Sequence, residues 1–170
     1  SPEDIHVYSI DEYFIDITPY TNLYKKTPRQ LAQLLLDAVL DATHIYATVG
    51  IGTNLFLAKI ALDILAKHAP DFIGYLDESL FKEQIWHHQP ITDIWQIGSG
   101  IANRLRKFGA FDLHGITQVP EHKLYKEFGV NAELLIDHAW GRESCTIADI
   151  HAYRPSKHSL SQSQILLRNY

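Results

Sequence analysis

The sequence predicts an α+β chain: a ββαβαβ layer, with two helices covering one mostly antiparallel sheet, followed by a small all-helical unit. Three observations carry that expectation. Short β-branched and aromatic runs fill residues 5–17 and recur at 45–51 and 72–76. Two longer segments of helical apolar spacing separate them. Beyond Asp77 the strand-like runs stop, and short helical segments follow one another with Gly or Pro at their joints.

Ile5-His6-Val7-Tyr8-Ser9 and Tyr13-Phe14-Ile15-Asp16-Ile17, separated by Ile10-Asp11-Glu12, read as an antiparallel pair with acids at its tip. Thr27 then has the chemistry of an N-cap, with Pro28 at the first helical position. Leu31, Leu34, Leu35, Ala38 and Ala42 keep helical spacing, so a helix is expected to about Thr43. Ile45–Ile51 is apolar enough for a central strand. Thr53-Asn54 opens a second, largely buried helix to about His68. Pro70-Asp71 ends it, and Phe72–Leu76 is the last strand. Asp77–His88, Gly100–Lys107, His122–Phe128 and Asn131–Trp140 read as the helices of the second unit, with Trp86, Trp95 and Trp140 as its core. After Gly141 the chain turns polar, and Ser156–Gln164 reads as a tether.

Composition bounds the function. The chain has 170 residues, 46% hydrophobic and 21% charged, which excludes disordered and low-complexity classes. No apolar run approaches the roughly 18–20 residues of a membrane helix. One cysteine, Cys145, excludes a disulfide framework and fits a reducing, cytoplasmic setting. A methionine is absent even at position 1, so the chain is expected to be a piece of something longer. The net charge of −5 argues against non-specific nucleic-acid binding. It is unevenly spread: residues 1–90 carry 6 basic and 12 acidic groups, against 9 and 8 in residues 91–170.

Three stretches have the residue types that chemistry needs. Asp11 and Glu12 at a hairpin tip, with Asp16 beyond, could hold divalent metals for phosphoryl transfer. The plain alternative is that acids favour turns. Thr48-Val49-Gly50-Ile51-Gly52-Thr53-Asn54 leads from strand to helix through glycines, a turn that could offer amides to phosphate, although P-loop spacing is missing. Lys59, in the second turn of that helix, could meet a triphosphate, or could be an exposed lysine near Asp63. Ile94–Leu105 has the form of a helix–hairpin–helix. Its amides, with Arg104, Arg106 and Lys107 close behind, could hold a DNA backbone phosphate. The alternative there is an ordinary glycine-terminated helix turn. The ten histidines show no metal-binding spacing, and His87 and His88 face different ways on a helix.

The order of these stretches resembles a known family. Tyr8-Ser9-Ile10-Asp11-Glu12-Tyr13-Phe14-Ile15-Asp16 is similar to the S-I-D-E-x-[FY]-[LI]-D box of the Y-family, or translesion, DNA polymerases, closest to the UmuC-like branch. Val49–Asn54 with Leu57-Ala58-Lys59 resembles that family's second palm box. Trp95–Leu105 falls where its thumb belongs, and Lys157–Ser163 resembles the tether to the little-finger domain. The resemblance implies a palm portion over residues 1–76, a helix–hairpin–helix thumb over 77–144 and a tether over 145–170. It also implies that Asp11 and Glu12 are metal-binding catalytic acids, Glu12 beside the primer 3′-hydroxyl, and that Lys59 contacts the incoming triphosphate. Gly98, Gly100 and Arg104 would hold the duplex backbone.

The cofactor implied is Mg²⁺, as two ions in the intact protein, and the partners are primer-template DNA and dNTP. A sliding clamp would be reached through segments outside these residues, and no membrane is involved. The first catalytic Asp, the ribose-discriminating aromatic, the fingers and the little finger would lie beyond the chain, so these residues alone are expected not to polymerise. Two positions depart from the pattern: Gln96 stands where the hairpin usually has its first glycine, and Leu55 where a second lysine is common. Two other readings are a non-catalytic DNA-binding module on a degenerate palm, and another palm-like nucleotidyltransferase or cyclase. Asp11, Glu12 and Lys59 speak against the first, and the hairpin with its basic cluster against the second.

Overall fold

The computed structural model describes residues 1–155. The tether motif Lys157–Ser163 lies outside them. Strand β1 (Ile5–Val7) pairs antiparallel with β2 (Tyr13–Ile15), with His6 opposite Phe14. The loop between them is tight because the amides of Tyr8 and Ser9 both donate to the Glu12 carbonyl, at 2.9 and 3.0 Å. A short helix not expected from the sequence, α1 (Thr18–Tyr24), follows. Helix α2 (Pro28–Thr43) starts as read: the Thr27 hydroxyl accepts from the Gln30 amide, and the Gln30 side chain returns the bond to the Thr27 amide.

The α+β class holds, but the pairing differs from the expected single antiparallel sheet. Strands β3 (Val49–Gly52) and β4 (Ile73–Leu76) form a separate, parallel pair, with Ile51 opposite Tyr75. The reason is the connection. The chain between them is spent on α3 (Leu55–Ile60), which runs on as a π turn (Ala61–Leu65) and a 3-10 turn (Ala66–His68). A crossover of a dozen or more residues through a helix brings the next strand back in the same direction. The glycines of this unit serve that packing. A Cβ on Gly50 or Gly52 would run into the backbone of Ala58, and Gly50's into Leu62 as well.

Helix α4 (Glu78–Gln84) begins the helical unit. It is followed by α5 (Ser99–Arg106), α6 (Leu113–Thr117), α7 (Glu121–Phe128) and α8 (Asn131–Ala139). One buried cluster runs from Phe56, Leu57 and Ile60 of α3 through Leu76 and Phe81 to Leu105, Leu124 and Leu135. The two units therefore share a core. A smaller cluster, Ala32, Leu36, Ile51 and Ile73, seats α2 on the parallel strands. None of the three tryptophans is fully buried. Trp86 and Trp140 pack against each other, whereas Trp95 packs on the main cluster and His138 from one side and meets Tyr8 and Phe14 from the other. The described part of the expected tether includes α9 (Ile147–Ala152), capped by Thr146 and Asp149, with Ile147 buried.

Candidate active site

The hairpin tip and α3 meet. Lys59 Nζ lies 2.9 Å from Glu12 Oε1 and 3.0 Å from Asp63 Oδ1, and the lysine is only 7% exposed. It is thus neither the exposed lysine of the plain reading nor a free cation. Asn54 orients the helix that carries it, accepting the Leu57 amide at 2.8 Å while its own amide donates to the Gly141 carbonyl at 2.9 Å. Burial pushes the Lys59 ammonium towards deprotonation, but hydrogen bonds to Glu12 and Asp63 outweigh it, and the pKa rises above the ordinary value. The amine is held charged. Lys67 approaches the same Asp63 carboxylate at 3.5 Å.

Asp11 sits at the tip, exposed, with Oδ1 accepting the Ser9 hydroxyl at 3.0 Å. Adjacent acids on a turn thus have different surroundings: Asp11 faces solvent, and Glu12 turns inward to Lys59. Among the described residues neither acid belongs to a group of three or more metal-ligating side chains. A carboxylate pair with oxygen donors only is suited to Mg²⁺, which takes one or two carboxylates and completes its shell with water and substrate phosphates. Asp11 fits that role as it stands, and Glu12 fits it on release from Lys59.

The hairpin begins beside this cluster, at Trp95, and leads into α5. Gly98 is the N-cap of α5, no side chain caps that helix, and a Cβ on Gly98 or Gly100 would meet open space. Gln96 adopts φ +68°, the left-handed conformation that glycine takes without strain. Arg104 is not free: its Nε donates to Glu127 Oε1 at 2.9 Å and its guanidinium lies 4.2 Å from the Phe128 ring centre. Lys107 reaches the same Glu127 oxygen at 3.2 Å. Arg104 first, and then Lys107, hold the Glu127 carboxyl below its ordinary pKa.

The sequence assigns no site role to Asp63, Tyr8, Trp95 or His138. Asp63 is legible as an acid four residues from Lys59 on one helix face, the plain partner of that lysine. Tyr8 and Trp95 have no local signal. The ring of Tyr8 lies 5.8 Å from Lys59 Nζ, and its oxygen accepts the Trp95 indole N–H at 2.9 Å. His138 stacks on Phe56 at 4.0 Å and bonds Glu143 at 3.0 Å. Burial lowers its pKa despite Glu143, so the ring is held neutral.

An acid-tipped hairpin thus faces a helix-borne lysine and is joined to a helical unit with an open hairpin. Residues 1–63 match the impB/mucB/samB family, and the chain is similar to the Y-family DNA polymerases. It is 34% identical to DNA polymerase IV 2 of Bacillus subtilis (strain 168) over 77% of this chain and 31% of that protein. Among solved structures, the insertion ternary complex of Dbh DNA polymerase superposes with a TM-score of 0.69 at 29% identity, over 84% of this chain and 41% of that one. A DinB family error-prone DNA polymerase from Sulfolobus solfataricus does so at 0.68 and 29%, over 84% and 42%. The chain spans 38%, 31% and 32% of the lengths of three curated relatives. No helix among the described residues is long and apolar enough to cross a membrane.

Proposed function

We propose that these residues are the palm and thumb portion of an error-prone translesion DNA polymerase that performs template-directed nucleotidyl transfer in damage tolerance. Residues 1–76 act as palm, 77–144 as thumb and the remainder as tether. The observation that carries the reading is the Glu12–Lys59 pair at 2.9 Å: it brings two sequence boxes, 47 residues apart, to one spot. In this reading Asp11 and Glu12 are the catalytic acids and metal ligands, and Lys59 the contact for the dNTP triphosphate. Mg²⁺, when bound, neutralises phosphate charge and orients the attacking and leaving oxygens.

The chain's own residues supply position and charge. Ser9 holds the Asp11 carboxylate at the hairpin tip, and Asp63 would keep Lys59 protonated with Glu12 serving as a metal ligand. A triphosphate would take the place of Glu12 as the partner of the ammonium. Gly98 and Gly100 let a duplex backbone approach the first turn of α5, and Arg104 adds a charge once phosphate competes with Glu127. Activity belongs to the longer protein; the 170 residues alone bind DNA weakly, with a shallow salt slope, because their net charge is −5. A sliding clamp and nucleoid association are further expectations for the longer protein.

The test is primer extension past a template lesion with Mg²⁺ by a chain extended to the length of its relatives, beside Asp11→Asn and Glu12→Gln. Extension abolished by both substitutions supports the assignment. Extension that survives them removes the two acids from the chemistry. No extension with DNA binding intact favours a non-catalytic DNA-binding module instead.

A further inference from the structure

Histidine spacing gives no hint of a metal centre, yet the fold brings three metal-ligating side chains together. His87 follows α4, and Asp112 and His114 stand at the start of α6; one ligand atom from each lies within 4.8 Å of the other two. His87 Nδ1 is 3.0 Å from Asp112 Oδ2, and the two imidazole centres are 4.7 Å apart. We infer that His87, Asp112 and His114 form a binding site for a divalent transition ion of the zinc class, placed in the helical unit away from the acids of the hairpin.

The donor set suits such an ion. Two imidazoles and one carboxylate, with a fourth position left for water, are the ligands of open zinc sites. Metal–nitrogen and metal–oxygen bonds of about 2.0–2.2 Å put tetrahedral donors about 3.4 Å apart. Asp112 Oδ2 and His87 Nδ1 are 3.0 Å apart, the other donor pairs lie within 4.8 Å, and His87, whose side chain is 67% exposed, has room to adjust. The other two donors are held in place. Asp112 Oδ1 accepts the Gly115 amide at 2.6 Å, which leaves Oδ2 directed at His87. The His114 amide donates to the Trp86 carbonyl at 3.0 Å, and its ring stands edge-on to Trp86 at 5.0 Å. The Asp112 carboxylate is thus oriented by an outer partner, as ligating carboxylates in built sites are. Bound there, the ion would tie the turn after α4 to α6.

The test is a Zn²⁺ titration of the 170-residue chain against a chromophoric chelator, with Mg²⁺ in excess to occupy Asp11 and Glu12. A parallel titration with Co²⁺ reads visible absorption. The expected result is one equivalent bound. His87→Ala and His114→Ala should each weaken binding by more than the roughly 10–100-fold that loss of an outer partner costs. Cys145→Ser, removing the exposed thiol, and His122→Ala, at an exposed position of α7, should leave binding unchanged. His87→Ala is decisive because so exposed a side chain can be lost without unfolding the chain. The inference is overturned by the absence of saturable binding, or by binding that survives His87→Ala or disappears with Cys145→Ser.

Discussion

The indole N–H of Trp95 donates to the phenol oxygen of Tyr8 at 2.9 Å, linking residues 87 positions apart: the one opens the helical hairpin and the other precedes the acid-bearing tip of the β1–β2 loop. Their rings meet edge to face at 5.7 Å, and Phe14 closes the group at 6.1 Å from Trp95. Tyr8→Phe and Trp95→Phe each remove the hydrogen bond and keep a ring. A net hydrogen bond contributes about 0.5–1.5 kcal/mol, and this one, at an exposed site, should lie near the lower figure. A double-mutant cycle by urea unfolding should give that coupling energy; a value near zero would mean that the two units are joined by packing alone.

Lys59 is the next test. Lys59→Met leaves Glu12 and Asp63 beside an apolar chain, and removing one member of a fully buried pair costs 3–5 kcal/mol. Both acids keep partial solvent contact, 30% and 23% by side chain, so about 2 kcal/mol is expected here. The pKa of Lys59 is raised in the fold. Its stabilisation is therefore complete below the unfolded value near 10.4 and is lost as pH climbs through the higher folded value. Unfolding curves at pH 7 and pH 11 should differ in wild type by more than in Lys59→Met.

His138 gives the opposite dependence. Burial against Phe56 lowers its pKa, so the unfolded chain takes up the proton first. Stability from this group is present above about pH 6.5, the ordinary histidine value, and is lost as pH falls below it. His138→Gln should flatten the acid limb of a stability–pH profile between pH 7 and pH 5. An unchanged limb would assign that loss to other groups.

The glycines divide into two kinds, and alanine should separate them. Gly52→Ala drives a Cβ into the α3 backbone, which has no rotamer by which to yield, and should cost about 3 kcal/mol or more. Gly98→Ala meets nothing at φ −78° and should leave stability within about 0.5 kcal/mol. If the hairpin holds duplex backbone, Gly98→Ala should nevertheless weaken DNA binding, measured by fluorescence anisotropy.

Gln96 tests the hairpin from the other side. A left-handed residue with a Cβ costs roughly 1–2 kcal/mol, which glycine largely avoids. Gln96→Gly should raise thermal stability or leave it level, and a clear loss would mean that the Gln96 side chain has contacts of its own.

Residues 27–43 show how far local chemistry reaches. Thr27, Pro28 and Gln30 specify a helix start through bonds spanning three residues, and the helix ends at Thr43 where the apolar spacing ends. Cap, turn and period are properties of neighbours, so local sequence specifies the acid-tipped hairpin, α2 and the passage to a helical unit at Asp77, but not the short α1. The boxes around Asp11 and Lys59 are legible only through the family resemblance, because the residue types and spacing alone leave the plain readings open.

Tertiary structure alone decided what meets what. Strands Val49–Gly52 and Ile73–Leu76 run parallel because a helical crossover returns the chain in one direction. The glycines of the first are needed because that same helix lies against it. Lys59 meets Glu12, 47 residues earlier, and Arg104 meets Glu127, 23 residues on, across separations no local pattern encodes, whereas Asp63 is the local i,i+4 partner of Lys59. His87 and His114, 27 residues apart, come together only because the turn after α4 packs on the start of α6. Contacts of this kind depend on how apolar faces exclude water together, a property of the assembled core rather than of any segment.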